Sequence, residues 1–370
     1  MKIAYITLHK VRNYGSVLQT YATQEIIKKM EHDPILINYC SSRFKEENRI
    51  NDEFLRFTYK NKNNPVIKSL FYIVMSFSIK GQEKCFESFL RNNVSLTREY
   101  NSIDELCENP PCADIYCTGS DQVWNLKTNG FFERPFYLDF GDKTIRRIAF
   151  SASFGRDSLE KSEIKQIYGP LKRYSAIGVR ESSGLSILKE LDIDECENTL
   201  DPTLMLDVDE WKKMTSETSP FKEGYILIYE FNKSSNIGEY AKVLSKRTGL
   251  PIKRITYWYH ERHKGEECVV LPSVNEFMTL IRHAEYVITN SFHATVFATI
   301  FRKKFAVVYP KHFSVRLEDF LKLTEMKERH VKKIEDIGSI CNEIDFDRVH
   351  SIIQNERRKT LLFFKKQLDE

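Results

Sequence analysis

Residues 2–30, "KIAYITLHKVRNYGSVLQTYATQEIIKKM", change hydrophobic period halfway along. The opening "KIAYITL" is a short run rich in β-branched and aromatic residues, the composition of a buried strand. A polar turn, "HKVRNYGS", follows, and beyond it Val17, Leu18, Tyr21, Ala22, Ile26 and Met30 recur at helical spacing. Strand, turn and helix in that order begin a βαβ unit, which lays helices against a parallel sheet.

The same grammar continues outward. "DPILINY" (33–39), "ADIYCTG" (113–119), "RRIAFSAS" (146–153) and "SAIGVRE" (175–181) are further strand candidates separated by helical patterns. Residues 41–110 break the rhythm with polar and helical sequence and read as a helical insertion in the first domain. After "SETSPFKEG" a second series begins: "YILIYEF", "PIKRITY", "CVVLP", "EYVITN" and "KFAVVY". Two αβ series predict two doubly wound, Rossmann-type domains, 1–206 and 225–345, facing each other across a central cleft. The linker falls at 207–224, where Asp, Thr, Ser, Pro and Gly accumulate. Residues 346–370 predict an amphipathic C-terminal helix packed back on the body, with Ile352, Ile353, Leu361 and Leu362 on its apolar side.

Composition sets the outer bounds. A chain of 370 residues, 41% hydrophobic and 29% charged, is globular and too long for one ordinary core. A net charge of +4 gives no basis for a nucleic-acid partner. The eight cysteines include no CxxC pair. The spacing of Cys107, Cys112 and Cys117 fits no common zinc site, so they read as buried thiols of a reducing compartment. No metal-binding constellation is visible, and no obligatory metal or cofactor is expected. "IAYITL" is too short for a signal h-region, so a cytoplasmic location is expected. One run, "SLFYIVMSFSI" (69–79), admits two readings. It falls well short of the ~20 residues that span a bilayer. The simpler reading buries Leu70, Ile73, Val74 and Phe77 in the insertion's own core. The other rests the helix, flanked by Lys68 and Lys80, on the inner face of the membrane.

In open parallel sheets, ligands bind beyond the carboxyl ends of the strands. Four loops lie there. "HKVRNYGS" offers Asn13, Tyr14 and Gly15; "TGSDQVWN" offers Ser120, Asp121, Gln122 and Asn125; "VRESSG" offers Arg180. "TNSFHAT" offers Asn290, Ser291, Phe292 and His293. Asn290 or Ser291 can cap the helix that follows, which sets His293 in a first turn favourable to anions. An arginine at a sheet's carboxyl edge suits a carboxylate or phosphate, although Arg180 could equally pair with a neighbouring acid. Asp121 could be a simple helix cap, and Trp124 a packing anchor for its loop. "YWYHERHK" (257–264) is either half-buried strand and loop or a platform on which a sugar ring stacks.

Together "NYGSVLQTYA", "GSDQVWN", "RIAFSASFG", "VRESSG", "LDPTLML" and "TNSFHATVFA" resemble, in order and approximate spacing, the polysaccharide pyruvyl transferases. The resemblance covers nearly the whole chain. It implies a GT-B-like fold of two Rossmann-type domains. It also implies transfer of pyruvate from phosphoenolpyruvate to two hydroxyls of one sugar, giving a cyclic ketal in a surface glycan (exopolysaccharide or capsule) or its precursor. Carried over by motif, Asp121 resembles the family's catalytic acid, Arg180 its phosphoenolpyruvate arginine and His293 its ligand-binding histidine. There is one departure: many members have arginine and leucine just before that histidine, where this chain has Ser291 and Phe292. Arg316, in "HFSVRLEDFL", is the candidate replacement, or else a surface cation. The implied partners are phosphoenolpyruvate and a sugar acceptor, free or lipid-linked. A nucleotide-sugar glycosyltransferase or epimerase, or a non-catalytic sugar-binding protein, would use the same architecture.

Overall fold

The computed structural model describes residues 1–56, 64–130, 132–231, 237–310 and 314–369. The first sheet holds β1 (Lys2–Ile6), β2 (Asp33–Tyr39), β3 (Leu96–Tyr100), β4 (Ile115–Thr118), β5 (Arg146–Ala152), β6 (Ala176–Val179) and β7 (Cys196–Asn198), in the order β3-β2-β1-β4-β5-β6-β7. The second holds β8 (Ile226–Tyr229), β9 (Ile252–Thr256), β10 (Glu267–Val270), β11 (Tyr286–Thr289) and β12 (Lys304–Val307), in the order β10-β9-β8-β11-β12. All neighbouring strands are parallel. The central strands β1, β4, β8 and β11 are covered on both faces, and their continuous apolar runs follow from that. Two Rossmann-type domains face one another, which is the GT-B arrangement.

Every strand candidate read from the sequence is a strand. Two more appear at the edges of the first sheet, "LTREY" and "CEN", where one side is open and no apolar run is required. The first lies inside 41–110, so that segment supplies a strand as well as helices.

The long helix of that segment, Pro65–Asn93, starts on Asn64, whose side chain accepts from the Val66 N–H, with Pro65 at the first helical position. Its second half buries Phe86, Phe89 and Leu90 in the main core. Its first half does not follow the core reading of 69–79. Met75, Ser78 and Ile79 are buried, Val74 is half-buried, and Leu70, Ile73 and Phe77 face solvent. The physical reason is cover. Among the described residues, Ile50 and Phe54 of the Glu46–Arg56 helix and Trp258 meet only one side of it. Residues 57–63 of the segment lie outside the described residues.

The C-terminal helix, Phe346–Asp369, packs through a stripe that keeps Ile353 of the expected side, leaves Ile352 half-buried and replaces the two leucines. Val349, Ile353, Thr360, Phe364 and Leu368 are buried, whereas Leu361 and Leu362 are exposed. Phe364 stacks edge-on against Phe150 of β5 at 4.2 Å, over Gly178 of β6, where any Cβ would meet its ring. The Arg357 guanidinium donates to the carbonyls of Leu204 and Leu206, so the chain's end is bound to its first domain. The cysteine reading also needs correction: all eight are free, but only Cys117 is buried; Cys107, on the short helix Ile103–Glu108, and Cys112, on the loop after it, are exposed.

The domains meet through apolar packing. Tyr14 stacks on Phe277 at 4.2 Å and donates its hydroxyl to the Pro272 carbonyl at 2.6 Å. One continuous core joins residues of both domains around this contact.

Candidate active site

Each sheet reverses its strand order once, between β1 and β4 in the first and between β8 and β11 in the second. A crevice opens beyond the carboxyl ends of the strands at such a point. Here the two crevices face each other and merge into one cleft of about 560 Å³, within the range of small-molecule sites. Asn13, Ser16, Asp121 and Gln122 line it from the β1 and β4 exits; Phe231, Asn290, Ser291, Phe292 and His293 line it from the β8 and β11 exits. Arg43, Lys127 and Arg316 add positive charge to its walls.

Asp121 does not cap a helix. Its φ of 82° lies in the left-handed region, an unfavourable place for a residue with a Cβ. Beside it, the β5–β6 register shifts between Ala149 and Ala152, and Ala152 bridges to Asp121. This irregular exit aims the carboxylate into the cleft. Oδ2 accepts from the Ser16 hydroxyl at 2.6 Å and Oδ1 from the Gln122 N–H at 2.8 Å. Arg180 Nη2 lies 3.5 Å from Oδ1, and Arg316 Nη1 3.9 Å. Burial alone would push the Asp121 carboxyl up. Arg180, then Arg316 and His293, with the Ser16 hydrogen bond, instead hold it below the ordinary carboxylate value.

The two arginines differ in environment. Arg180, at the end of β6, is held between Asp121 and Asp201, and these carboxylates raise it above its usual value despite burial. It stands behind Asp121, with Ser120 Oγ 3.4 Å from its Nη1. Arg316, on the helix Val315–Leu323, opens on the cleft. Burial, then the neighbouring Arg180, bring it down to about 10, the signature of a desolvated cation with too little negative charge around it. Both guanidinium groups lie over the Phe292 ring, at 5.3 and 5.7 Å. With its amide turned to satisfy both neighbours, Gln122 accepts from Arg316 Nη2 at 2.9 Å.

His293 sits in the first turn of the helix Phe292–Ile300, which Ser291 caps through the Ala294 N–H. Its imidazole packs against Gly15, where a Cβ would overlap the ring. A glycine is therefore required at the start of the helix Tyr14–Lys29, so that the two domains can close here. His293 Nε2 is buried, has no hydrogen-bond partner among the described residues, and lies 3.7 Å from Asp201 Oδ2. Asp201 is fully buried. Its Oδ1 accepts from Thr203 N and Oγ1 at 3.0 and 2.6 Å, and its Oδ2 meets Arg180, Ser120 and His293. Burial would raise its carboxyl, but Arg180 and then His293 hold it far below the usual range.

The structure thus brings Asn13, Asp121, Gln122, Asn290, Ser291, Phe292, His293 and Arg316 to one cleft, with Arg180 and Ser120 immediately behind. Three candidates do other work. Tyr14 is an interdomain core residue, Gly15 gives His293 room, and Asn125 is fully buried beneath the loop. Trp124 is the loop's anchor, fully buried with Nε1 donating to the Phe136 carbonyl at 3.1 Å. Glu181 does not pair with Arg180; its carboxylate accepts from the Phe154 and Gly155 N–H groups. Tyr257 of the aromatic "YWYHERHK" run packs on Tyr14, and Trp258 on the insertion helix, rather than forming a platform in the cleft. Ser16, Asp201, Arg43, Lys127 and Phe231 were not among the candidates. Ser16 and Asp201 lay within motifs already singled out, "NYGS" and "LDPTLML". The other three carried no local signal.

Two facing Rossmann-type domains with an acid, an imidazole and paired guanidinium groups between their crevices define a GT-B-type scaffold. The model of the polysaccharide pyruvyl transferase family matches residues 13–312, and the chain belongs to that family. No curated protein matches the sequence. Among solved structures, UDP-N-acetylglucosamine 2-epimerase from Rickettsia bellii superposes with a TM-score of 0.53 at 12% identity, covering 100% of this chain and 97% of its own. UDP-GlcNAc 2-epimerase from Methanocaldococcus jannaschii gives 0.51 at 11% identity, covering 92% and 91%. At such identities the likeness speaks for the fold alone.

Proposed function

We propose that this chain transfers pyruvate from phosphoenolpyruvate to two hydroxyls of one sugar, releasing phosphate and leaving a cyclic ketal. The acceptor in this reading is a sugar of a surface glycan or of its lipid-linked precursor. The observation that carries it is the stack of Arg180 and Arg316 over Phe292 beside Asp121, in a cleft that His293 also lines. Arg316 there is a cation short of an anion, and phosphoenolpyruvate supplies a carboxylate and a phosphate.

The chemistry needs a proton delivered to the methylene carbon, which makes the neighbouring enol carbon electrophilic, and a base for the attacking hydroxyl. Two sugar C–O bonds form at that carbon and its bond to the phosphate oxygen breaks. One hydroxyl proton balances the new methyl group and the other leaves with phosphate. Asp121, held as a carboxylate, suits the base. His293, which lines the cleft with a buried Nε2 that has no hydrogen-bond partner among the described residues, suits the donor. Arg316 and the capped start of the Phe292–Ile300 helix hold the anion, with Arg180 fixing Asp121 from behind. Asn13, Gln122 and Asn290 offer amides to sugar hydroxyls, and Phe231, 44% exposed at the cleft wall, offers a face for a sugar ring.

Calorimetry with phosphoenolpyruvate and with UDP separates this reading from a nucleotide-sugar enzyme. Binding of phosphoenolpyruvate, followed by phosphate release on adding acceptor glycans, is expected. Binding of UDP without phosphoenolpyruvate would replace the proposal.

A further inference from the structure

The Pro65–Asn93 helix turns one continuous stripe to solvent. Val66, Leu70, Ile73 and Phe77 are 75%, 61%, 56% and 68% exposed, and steps of three and four residues put them on one face. The same steps lead on to Lys80, Lys84, Ser88 and Arg91, all exposed. The stripe is therefore apolar along its first half and basic along its second, and it contains no acid. Glu46 and Glu87 reach it only from the flanks, 3.9 Å from Lys80 and 3.5 Å from Arg91. The opposite side of the helix is committed: Ile79 packs in a small cluster, and its carbonyl accepts from Arg12 at 2.9 Å. The apolar half cannot roll inward without breaking that seat.

We propose that this face docks on the surface of an anionic lipid bilayer, with Val66, Leu70, Ile73 and Phe77 at the headgroup–acyl boundary and Lys80, Lys84 and Arg91 over lipid phosphates. Charge and size select this occupant. An apolar row followed by cations on the same face complements a membrane, which offers both phases side by side. A second copy of the chain fits worse. The apolar row is about 17 Å long at ~1.5 Å per residue and one side chain wide. That falls far below the ~800 Å² per partner of a stable interface. A bilayer has no such threshold, because partial burial of each side chain and attraction to each cation add up. Arg12, which grips this helix, belongs to the loop whose Val11 and Asn13 line the cleft. Docking therefore holds the cleft close to the lipid surface, where a membrane-borne glycan can reach it.

Vesicle flotation tests this with the full chain and needs neither donor nor acceptor, so it stands apart from the pyruvyl-transfer reading. With vesicles of equal parts phosphatidylcholine and phosphatidylglycerol the chain is expected to float, less so at high salt and less with phosphatidylcholine alone. Leu70→Ser combined with Phe77→Ser should lower the bound fraction roughly tenfold. Lys80→Glu combined with Lys84→Glu should weaken binding to the mixed vesicles only. All four side chains are exposed, so both variants should keep the unaltered chain's unfolding midpoint. The proposal is overturned if the unaltered chain does not float, or if the serine pair floats as well as it does. A concentration-dependent dimer that the serine pair dissolves would also overturn it, by giving the face to a second copy.

Discussion

Arg180 has a carboxylate on each side, Asp121 at 3.5 Å and Asp201 nearer still, whereas Arg316 has Asp121 at 3.9 Å and the open cleft. Their alanine variants should therefore fail differently. Arg180→Ala leaves two buried carboxylates short of a partner and should cost about 3–5 kcal/mol of stability, read as a lower urea midpoint. Arg316→Ala should leave the fold nearly intact and weaken phosphoenolpyruvate binding by roughly 1.5–3 kcal/mol in calorimetry. Unchanged affinity would place the anion elsewhere. Asp121→Asn should keep ligand binding and abolish most turnover; a variant with most of its activity would leave Asp121 a structural residue. Asp201 carries a pH prediction. Its folded-state pKa is depressed, so its stabilisation is present above the unfolded value of ~3.9 and is lost as pH falls towards the folded one. Asp201→Asn should flatten the fall of stability below about pH 4 in acid titrations followed by circular dichroism. Asp201 was hidden in the sequence because an Asp before Pro suits a plain helix cap, and it is one here, through Thr203. Only the fold brings its second oxygen to Arg180.

At the level of elements, the glycine that begins the Tyr14–Lys29 helix couples two helix starts across the cleft. Gly15→Ala should push the His293 ring off its seat. Turnover should then fall sharply while the unfolding midpoint moves little, since the clash lies at the cleft and not in a core. Equal loss of both would show that the helices had separated altogether. Most elements were legible because a strand covered on both faces must be apolar throughout, as "ILIY" and "YVIT" are. "LTREY" and "CEN" were not, since an edge strand is held by its ladder rather than by burial. The C-terminal helix was legible as a helix but not in its facing. Thr360 is buried because its hydroxyl accepts from the Leu200 N–H, while the apolar Leu362 is left exposed. A Phe364→Ala change should cost about 3–5 kcal/mol, measured by denaturant unfolding, given the ring's burial against Phe150.

Across the whole molecule, one apolar core runs from β1 through the Tyr14–Phe277 stack to the Phe292–Ile300 helix. Two domains sharing a core should melt together, so scanning calorimetry is expected to show one transition; two resolved peaks would mean that the interface is weaker than its packing implies. The return of the last helix to the first domain bears on how the chain is made. Phe364 and Leu368 belong to the same core as Ile3 and Tyr5, yet more than three hundred and fifty residues of synthesis separate them. A ribosome therefore delivers the first sheet well before the helix that walls it. The first domain therefore waits for the second before its core can be completed. Until that helix emerges, the unfilled seat over Gly178 is exposed apolar surface of the kind that chaperones hold and proteases find.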